Sequence, residues 1–449
     1  MDEYVLPLLM IACLLAGIMS GYPVAFVLAG LGVVFTFIGD IPLAFLGTVV
    51  SRIFTGNLAN WLMVAIPLFV FMGLMLEKSG VAANLLRTLE AVFGGRPGGL
   101  AISVAVLGIV MAASTGIVGA SVVLLGMLAL PAMLEQRYDP KLASGVITAS
   151  GTLGILIPPS IMLVLVGDIL QISVGDLFMG ALLPGLLLGG FYILYIVAAV
   201  LIAPEKAPAP PAAPSLGTSA LVIRLLRDLF APLLLIVGVL GSIVAGVATP
   251  TEAAAIGALG TLLIAAMVGQ LTWSNLTSAV RETGLTTAMI LFIALGATCF
   301  SVVFKRLGGD YMVEDAILGL GGGPYTTLAA LMLLIFCLGF VLEWIEISYV
   351  TLPLFGPIVA NVDFGLGLSS EETLIWFAVL VAVNLQTSFL TPPFGYALFY
   401  LKGIAPPGVT IGDIYRSSIP FVLIQLLGLF LVILFPAIVL WLPRTLIGG

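Results

Sequence analysis

The sequence predicts an all-α polytopic membrane protein made of two inverted-topology repeats, each with a re-entrant helical hairpin and a broken transmembrane helix. Three observations support this fold class: the composition, the recurrence of long apolar stretches, and a repeated pattern of prolines and glycines. Of the 449 residues, 61% are hydrophobic and only 8% are charged, whereas soluble domains have about 25% charged residues. So few charges could not cover the surface of a soluble protein of this length.

The composition also excludes several classes of chemistry. There is no histidine, so neither a Ser-His catalytic pair nor a His-ligated metal is possible. The three cysteines stand singly in apolar runs, and none of the five lysines completes the glycine-rich signature of a nucleotide-binding loop. No run of basic residues suggests nucleic acid. We therefore predict a protein that is not an enzyme, has no cofactor, and takes its energy from an ion gradient or a partner.

The first apolar stretch, residues 4–20, must be distinguished from a signal peptide. It follows Asp2 and Glu3 instead of a basic segment, and no small-residue cleavage site follows it. We interpret it as the first membrane helix.

A polar boundary divides the chain near its middle. Residues 204–215 (PEKAPAPPAAPS) are rich in proline and alanine, which is typical of an extended linker. We place an inter-repeat linker at 204–220, between a first repeat at 1–203 and a second at 221–449.

An internal repeat joins the two halves. Proline, glycine and Gly-Asp motifs of the first half recur in order in the second, at separations of 226 to 237 residues. The matched pairs are Pro23 with Pro250, Gly30 with Gly257, Pro97 with Pro324, Pro131 with Pro357, the diproline 158–159 with 392–393, Gly175-Asp176 with Gly412-Asp413, and Pro184 with Pro420. Seven matches in one order indicate a duplicated unit.

Each half then has the same series of elements. In the first half these are spans at 4–20, 22–38 and 61–76, an amphipathic segment at 81–93, a hairpin at 98–133, a broken helix at 141–168 and a last span at 177–203. In the second half they are spans at 228–246, 249–268 and 285–304, an amphipathic segment at 310–320, a hairpin at 324–360, a broken helix at 371–402 and a last span at 414–441.

The number of crossings per half determines the symmetry. The amphipathic segment 81–93 carries Arg87 and Glu90 and is expected to lie flat at the interface. The hairpin arms are short for spans, which need about 20 residues. Each half then crosses the membrane five times, or seven times if both hairpin arms also cross, and both numbers are odd. The second half must start on the opposite side, as in the inverted repeats of secondary transporters.

The basic residues give the orientation. Eleven of the 15 lysines and arginines fall on one predicted side and four, Arg52, Lys305, Arg306 and Arg444, on the other. The sequence thus predicts that both termini are periplasmic. The eleven cytoplasmic residues are Lys78, Arg87, Arg96, Arg137, Lys141, Lys206, Arg224, Arg227, Arg281, Lys402 and Arg416.

The two diproline breaks are candidate cation sites. Proline lacks an N–H group, so the carbonyls four residues before each proline lose their helical partners. In the first break these are the carbonyls of Gly154 and Ile155, and in the second those of Ser388 and Phe389. With nearby hydroxyls they would form an oxygen cage suited to Na⁺; a packing kink repaired by those hydroxyls is the alternative. The breaks are Pro158, Pro159, Pro392 and Pro393, and the other predicted ligands there are Gly151, Thr152, Thr387 and Thr391.

The two hairpin tips differ from each other. The first, residues 113–121 (ASTGIVGAS), combines small polar residues with a helix N-terminus, which suits an anionic substrate; a tight turn or small-residue packing is the alternative. The second brings Glu343 and Glu346 to one helical face. Carboxylates within a membrane usually have a function, so we predict cation binding there, with hairpin anchoring or a headgroup-level position left open.

Other acidic residues near span ends have a simpler interpretation. Asp168, Asp176 and Asp413 are expected to cap helices, and Glu252 to balance a helix dipole.

Several segments resemble the large membrane subunit of tripartite ATP-independent periplasmic (TRAP) transporters, and the resemblance covers essentially the whole chain. The most specific segments contain the diprolines, LASGVITASGTLGILIPPSIMLVLVGD and NLQTSFLTPPFGYALFYLKGIAPP. STGIVGASVVLLGMLALPAM, GYPVAFVLAG and VAIPLFVFMG are also similar. The family's usual Ser-Gly-Ser tip is Ser114-Thr115-Gly116 here, and the linker is long.

The resemblance implies an elevator-type carrier with scaffold and transport parts, driven by Na⁺, in the bacterial inner membrane. It also implies two partners, a small membrane subunit and a periplasmic protein that delivers substrate, usually a carboxylate. Carried over by position, the ion and substrate region comprises 114–121, 151–160, 343–348 and 387–395. The substrate would contact Ser114, Thr115, Gly116, Ser121, Ser160 and Gly395.

The sequence therefore predicts the large permease subunit of a Na⁺-coupled importer of an organic acid. A stand-alone ion-coupled carboxylate carrier of the same architecture is the nearest alternative. An ion channel is a remote one, as is an intramembrane aspartyl protease suggested by Tyr138-Asp139 and Gly167-Asp168.

Overall fold

A computed structural model describes residues 4–93, 95–209 and 218–446, the side chains of 113–115, 218–220 and 222 excepted. The described chain is helical throughout, and seven of its helices are long and apolar enough to cross a membrane. The protein is thus an all-α polytopic membrane protein, as predicted. Its inverted topology, and the sides on which its termini lie, remain predictions.

The described part of the first half contains ten α-helices. They are α1 (Val5–Met19), α2 (Val24–Ile38), α3 (Phe45–Ile53), α4 (Ala65–Lys78), α5 (Val81–Phe93), α6 (Gly99–Thr115), α7 (Val118–Glu135), α8 (Pro140–Thr152), α9 (Ile161–Leu170) and α10 (Val174–Ile202).

The second half contains ten more. They are α11 (Thr218–Val244), α12 (Pro250–Met267), α13 (Trp273–Arg306), α14 (Gly309–Leu318), α15 (Pro324–Leu338), α16 (Trp344–Asn361), α17 (Ser370–Leu390), α18 (Tyr396–Ile404), α19 (Ile411–Leu434) and α20 (Ala437–Leu446).

Most boundaries follow the predicted ones, but four differ. Helix α3 was not predicted, and α13 is 34 residues long where a span at 285–304 was predicted. The predicted last span 414–441 is two helices, because Pro436 follows the end of α19. The linker is shorter than predicted, since α11 starts at Thr218; residues 210–217 of the predicted linker lie outside the described part of the chain.

The helices of the two halves pack in exchanged pairs. Helix α2 lies along α13 and α4 lies along α12, so the second and third spans of each half pack against those of the other. Likewise α7 contacts α18 and α16 contacts α9, while α8 contacts α19 and α17 contacts α10. Every one of these contacts recurs with the halves exchanged, as a two-fold relation between them requires.

Helix α17 lies at the centre of this arrangement. Among the candidate spans it is the most enclosed, with 94% of its apolar window buried, and a helix that is apolar all round belongs inside a bundle. Its start is fixed by a capping box of Ser369 and Glu372. The end of α17 therefore brings residues 386–390 into the interior.

The helix ends explain several of the acidic residues outside the hairpins. Glu252 forms a capping box with Thr249, and Asp413 forms one with Thr410, which confirms their predicted roles. For Asp168 the capping prediction is wrong: its Oδ1 accepts a hydrogen bond of 2.6 Å from Nδ2 of Asn60. That bond ties the end of α9 to the segment before α4.

Candidate functional site

The first break, which we call break 1, comprises residues 153–160 between α8 and α9. A short 3-10 turn, Leu153–Ile155, follows α8, and every residue of the break is buried. The Ser160 hydroxyl donates a hydrogen bond of 2.9 Å to the carbonyl of Ile155. One of the two carbonyls predicted to lose its partner therefore has a replacement, and the buried polar group remains satisfied.

Thr152, the last residue of α8, lies in a buried polar cluster behind break 1. Its carbonyl accepts a hydrogen bond of 2.9 Å from Nε2 of Gln386. Its hydroxyl donates to the carbonyl of Ala149 and lies 3.4 Å from Nε2 of Gln425, which also donates to the hydroxyl of Tyr192 at 2.7 Å. Thr152 is thus hydrogen-bonded to the second half of the chain.

The bond from Gln386 to Thr152 joins equivalent positions of the two repeats. The two residues are 234 apart, the same separation as that of the two diprolines. In a two-fold arrangement, equivalent residues meet only beside the axis. A two-fold relation between the predicted repeats would therefore place its axis between the ends of α8 and α17.

The second break, break 2, comprises residues 391–395 between α17 and α18. The Thr391 hydroxyl donates to the carbonyl of Thr387 at 2.7 Å, and the Thr391 N–H donates to the carbonyl of Ser388 at 3.1 Å. A Cβ on Gly395 would lie 2.6 Å from the carbonyl oxygen of Phe389, so only glycine allows this close approach. Break 2 is more open than break 1, since Pro393 and Phe394 are exposed.

The first hairpin tip contacts break 1. Gly116 has a φ of +59°, which favours glycine, and a Cβ there would lie 3.1 Å from the side chain of Ile161, the first residue of α9. Ser121 donates a hydrogen bond to the carbonyl of Ile117 at 3.0 Å. Ser114 and Thr115 were predicted to bind substrate, but their side chains lie outside the described residues. Gly151 packs against Val122 of α7, where a Cβ would lie 2.5 Å from the valine side chain.

The second hairpin tip contacts break 2. The hydroxyl of Tyr396 donates to the carbonyl of Val341 at 2.8 Å, and the hydroxyl of Tyr400 lies 3.3 Å from Oε1 of Glu343. Glu346 follows in the first turn of α16 and is only 7% exposed. Its Oε2 has no hydrogen-bond partner among the described residues. A buried oxygen of this kind needs a ligand, a water molecule or a proton.

A cavity of about 210 Å³ lies between the two tips. Both hairpins contribute to it, as do the starts of α9 and α18, the end of α17 and the middle of α13. Its lining residues are Ile117, Val118, Gly119, Ile161, Thr286, Met289, Ile290, Glu343, Trp344, Ile345, Phe389, Tyr396 and Tyr400.

Two predicted site residues, Glu343 and Phe389, line this cavity, and Gly116 adjoins it. Gly151, Thr152, Ser160, Thr387 and Ser388 lie behind it, within the helix packing. Thr387 and Ser388 donate to the carbonyls of Val383 and Leu385. Gly154, Ser121, Thr391 and Gly395 lie near the tips and breaks but not in the lining.

Most of the residues that line the cavity were not predicted from the sequence. Tyr396 and Tyr400 are four residues apart on α18, a spacing that puts them on one face, and this signal was available directly after the second diproline. Thr286, Met289 and Ile290 share a face of α13 by the same rule. Nothing in the sequence distinguishes these three residues from the rest of a long apolar helix.

Comparison with known proteins identifies the family. Residues 11–438 match the family model described as the tripartite ATP-independent periplasmic transporter, DctM component. The C4-dicarboxylate TRAP transporter large permease DctM of Pseudomonas aeruginosa is 32% identical over 86% of this chain and 87% of its own. Its namesake in Vibrio cholerae is 29% identical over 90% of each chain, and the sialic acid permease SiaM of that species is 27% identical over 88% of each.

A solved structure shows the same fold. The YdaH transporter of Alcanivorax borkumensis superposes with a TM-score of 0.62 over 88% of this chain and 89% of its own, at 15% sequence identity.

Proposed function

The chain belongs to the DctM-component family of TRAP transporters, and from this premise we propose that it is the large permease subunit of a Na⁺-coupled importer of an organic carboxylate. The observation that carries the proposal is the cavity in which the tips of both hairpins, the starts of α9 and α18 and the end of α17 meet. Sites of this kind, at the interface of structural repeats and between discontinuous helices, are typical of secondary transporters.

The cation would bind at the second tip. Glu343 and the buried, unpartnered Oε2 of Glu346 supply carboxylate oxygens there, which are the ligands that hard cations prefer. Carbonyls of break 2, beside Ser388 and Thr391, would complete the coordination. A bound cation would reduce the negative charge of the tip and so favour an anion next to it.

The substrate carboxylate would bind at the first tip. Helix α7 begins at Val118, and its free N–H groups lie at the edge of the cavity. A helix N-terminus supplies N–H donors and a partial positive charge to an anion. Ion and substrate would thus occupy neighbouring parts of one site, which gives the coupling a physical basis.

Movement would take place between two groups of helices. Helices α2, α4, α12 and α13 pack against one another as a scaffold, while the hairpins and broken helices form the other group. The cavity is bounded by both groups, because α13 provides one of its walls. An elevator-type displacement of the hairpins along α13 would carry the site from one side of a bacterial inner membrane to the other.

The proposal includes two partners, a small membrane subunit and a periplasmic binding protein that delivers the carboxylate. A stand-alone carrier would need neither. Uptake into proteoliposomes with and without the binding protein distinguishes the two cases, since a stand-alone carrier would transport equally well in both.

Alanine substitution at Thr391 or Ser114 tests the Na⁺ assignment. Thr391→Ala removes the hydroxyl that is bonded to the Thr387 carbonyl at break 2, and Ser114→Ala removes a hydroxyl of the first tip. We expect each to weaken the Na⁺ dependence of uptake several-fold without loss of membrane insertion. Thr277→Ala is the matched control, because its hydroxyl makes the same kind of bond at the exposed start of α13. Unchanged Na⁺ dependence in both variants would refute the assignment.

A further inference from the structure

The cavity has an acidic end at Glu343, which lines its wall. Glu346 follows three residues later, in the first turn of α16, and is almost completely buried outside the lining. Residues with this spacing are neighbours on a helix surface, about 5–6 Å apart at their Cβ atoms. The two carboxylates are therefore close to each other, and the charge of the buried one adds to that of Glu343 at this end of the cavity.

Basic side chains do not balance this pair. None of the described lining residues is basic, and the first tip, residues 113–121, contains no lysine or arginine. The lysines on the adjoining helices α13 and α18 are bonded elsewhere: Nζ of Lys305 donates to the carbonyl of Pro353 at 3.2 Å, and Nζ of Lys402 donates to that of Val409 at 2.9 Å. Positive potential at the cavity wall therefore comes from the N-termini of the helices that line it, α7, α9 and α18, and from a bound cation.

A single cation does not make the acidic end neutral. If both carboxylates are ionised, one Na⁺ bound between them leaves a net charge of −1. The anion site at the α7 N-terminus can accept one carboxylate, but a second carboxylate on the same small molecule would have to face the remaining charge. Like charges placed together in a desolvated site are strongly unfavourable.

The other walls fit an uncharged molecule. Eight of the lining residues are apolar, and the hydroxyl groups of Thr286, Tyr396 and Tyr400 supply the remaining polar contacts. The eight are Ile117, Val118, Ile161, Met289, Ile290, Trp344, Ile345 and Phe389.

We infer that this site takes a monocarboxylate with an uncharged, largely apolar body, and that the Glu343–Glu346 pair excludes dicarboxylates. The inference rests on the proposed function, because it takes the cavity as the substrate site. It separates this chain from those relatives whose names specify C4-dicarboxylates.

The test compares pentanoate with glutarate, which have five carbons each and differ by one carboxylate. Binding to the transporter purified from membranes is measured in Na⁺ by ligand-induced thermal stabilisation. Trp344 lines the cavity, so quenching of tryptophan fluorescence provides a second measurement. We expect pentanoate to bind at least about tenfold more tightly than glutarate, a difference of about 1.4 kcal/mol.

Glu346→Gln removes one charge and leaves the contact between Tyr400 and Glu343 in place. We expect the affinity for glutarate relative to pentanoate to rise about tenfold in this variant. Glu371→Gln is the control, because Glu371 is exposed at the start of α17, and it should leave the ratio unchanged.

Three results would overturn the inference. Equal binding of the two acids by the natural protein would contradict the inference and leave the proposed function intact, even if the variant did not fold. If Glu346→Gln does not change the affinity for glutarate relative to pentanoate, the inference is likewise contradicted and the proposed function is not. If no carboxylate is bound or taken up in Na⁺, the proposed function fails and the inference fails with it.

Discussion

Breaks 1 and 2 derive from the same sequence pattern but lie in different surroundings. Residues 153–160 are buried throughout, and the carbonyl of Ile155 accepts a hydrogen bond from Ser160. At break 2, Thr391 is half-buried, and Pro393 and Phe394 are exposed. A diproline therefore determines where a helix is interrupted, whereas the neighbouring helices determine whether the interruption is accessible.

This difference indicates that the two halves have different roles, one mainly in stability and the other mainly in transport. Break 1 and the polar cluster around Thr152 form an internal support, since their donors and acceptors are largely bonded to one another. The second tip carries Glu343, and α18, directly after break 2, carries the two tyrosines that reach the cavity. We expect substitutions at break 1 to affect stability first and substitutions at break 2 to affect transport first.

The largest effect is expected from Gly395→Ala at break 2. The new Cβ would lie 2.6 Å from the carbonyl oxygen of Phe389 and 3.1 Å from its carbon, and neither is the end of a flexible side chain. Break 2 would have to open, so uptake should fall more than about tenfold, as expected when reacting or binding groups are displaced by about 1 Å. Gly403→Ala, on α18 with no atom within 4 Å of its Cβ position, is the control. Normal uptake by Gly395→Ala would show that break 2 tolerates displacement.

A smaller, several-fold effect is expected from Gln386→Leu, which removes the bond between the ends of α17 and α8. An unpaired buried carbonyl costs about 1–3 kcal/mol. Because the bond joins the two helices that precede the breaks, we expect the Na⁺ concentration for half-maximal uptake to rise and thermal stability to fall.

Asn384→Leu is the matched control for this substitution. It removes a buried bond of 2.7 Å to the carbonyl of Met332, within the second half. It should lower stability by a similar amount and leave the Na⁺ dependence unchanged. Equal effects of the two substitutions on the Na⁺ concentration for half-maximal uptake would mean that Gln386 has no special part in coupling.

The smallest effect on transport is expected from Ser160→Ala at break 1. The substitution removes the hydrogen bond to Ile155, at a cost of about 1 kcal/mol in stability. Uptake at saturating Na⁺ should stay within about twofold of normal, because Ser160 does not line the cavity. If Ser160→Ala weakened Na⁺ dependence as much as Thr391→Ala, the two breaks would have equivalent roles.

The helices and their order could be predicted because hydropathy and proline positions depend on local sequence. The hairpins, the broken helices and most of the spans were placed within a few residues of their structural bounds. Helix α3 was missed because it is short and amphipathic, and it precedes an irregular segment that ends at Trp61–Val64. The long start of α13 was missed because residues 273–284 are polar and give no apolar signal.

The site could be predicted only in part, because its lining depends on packing between distant segments. The tips and the breaks were identified, and Glu343 was placed correctly at the cavity. Each helical break was predicted to leave oxygens free for a cation. The carbonyl of Thr152 instead accepts a hydrogen bond from Gln386, which lies 234 residues further along the chain. No local pattern predicts that contact, and the same holds for the wall contributed by α13.

The contact between Gln386 and Thr152 shows how mutation can make the two halves of such a protein different. In a dimer of two identical copies, the residue beside the axis would face its own duplicate, and any mutation would alter both partners at once. When the two copies are joined in one polypeptide, each position can mutate separately, so the side-chain amide of Gln386 can face the backbone carbonyl of Thr152. The centre of the protein is then free to become asymmetric, and the two interruptions can specialise independently.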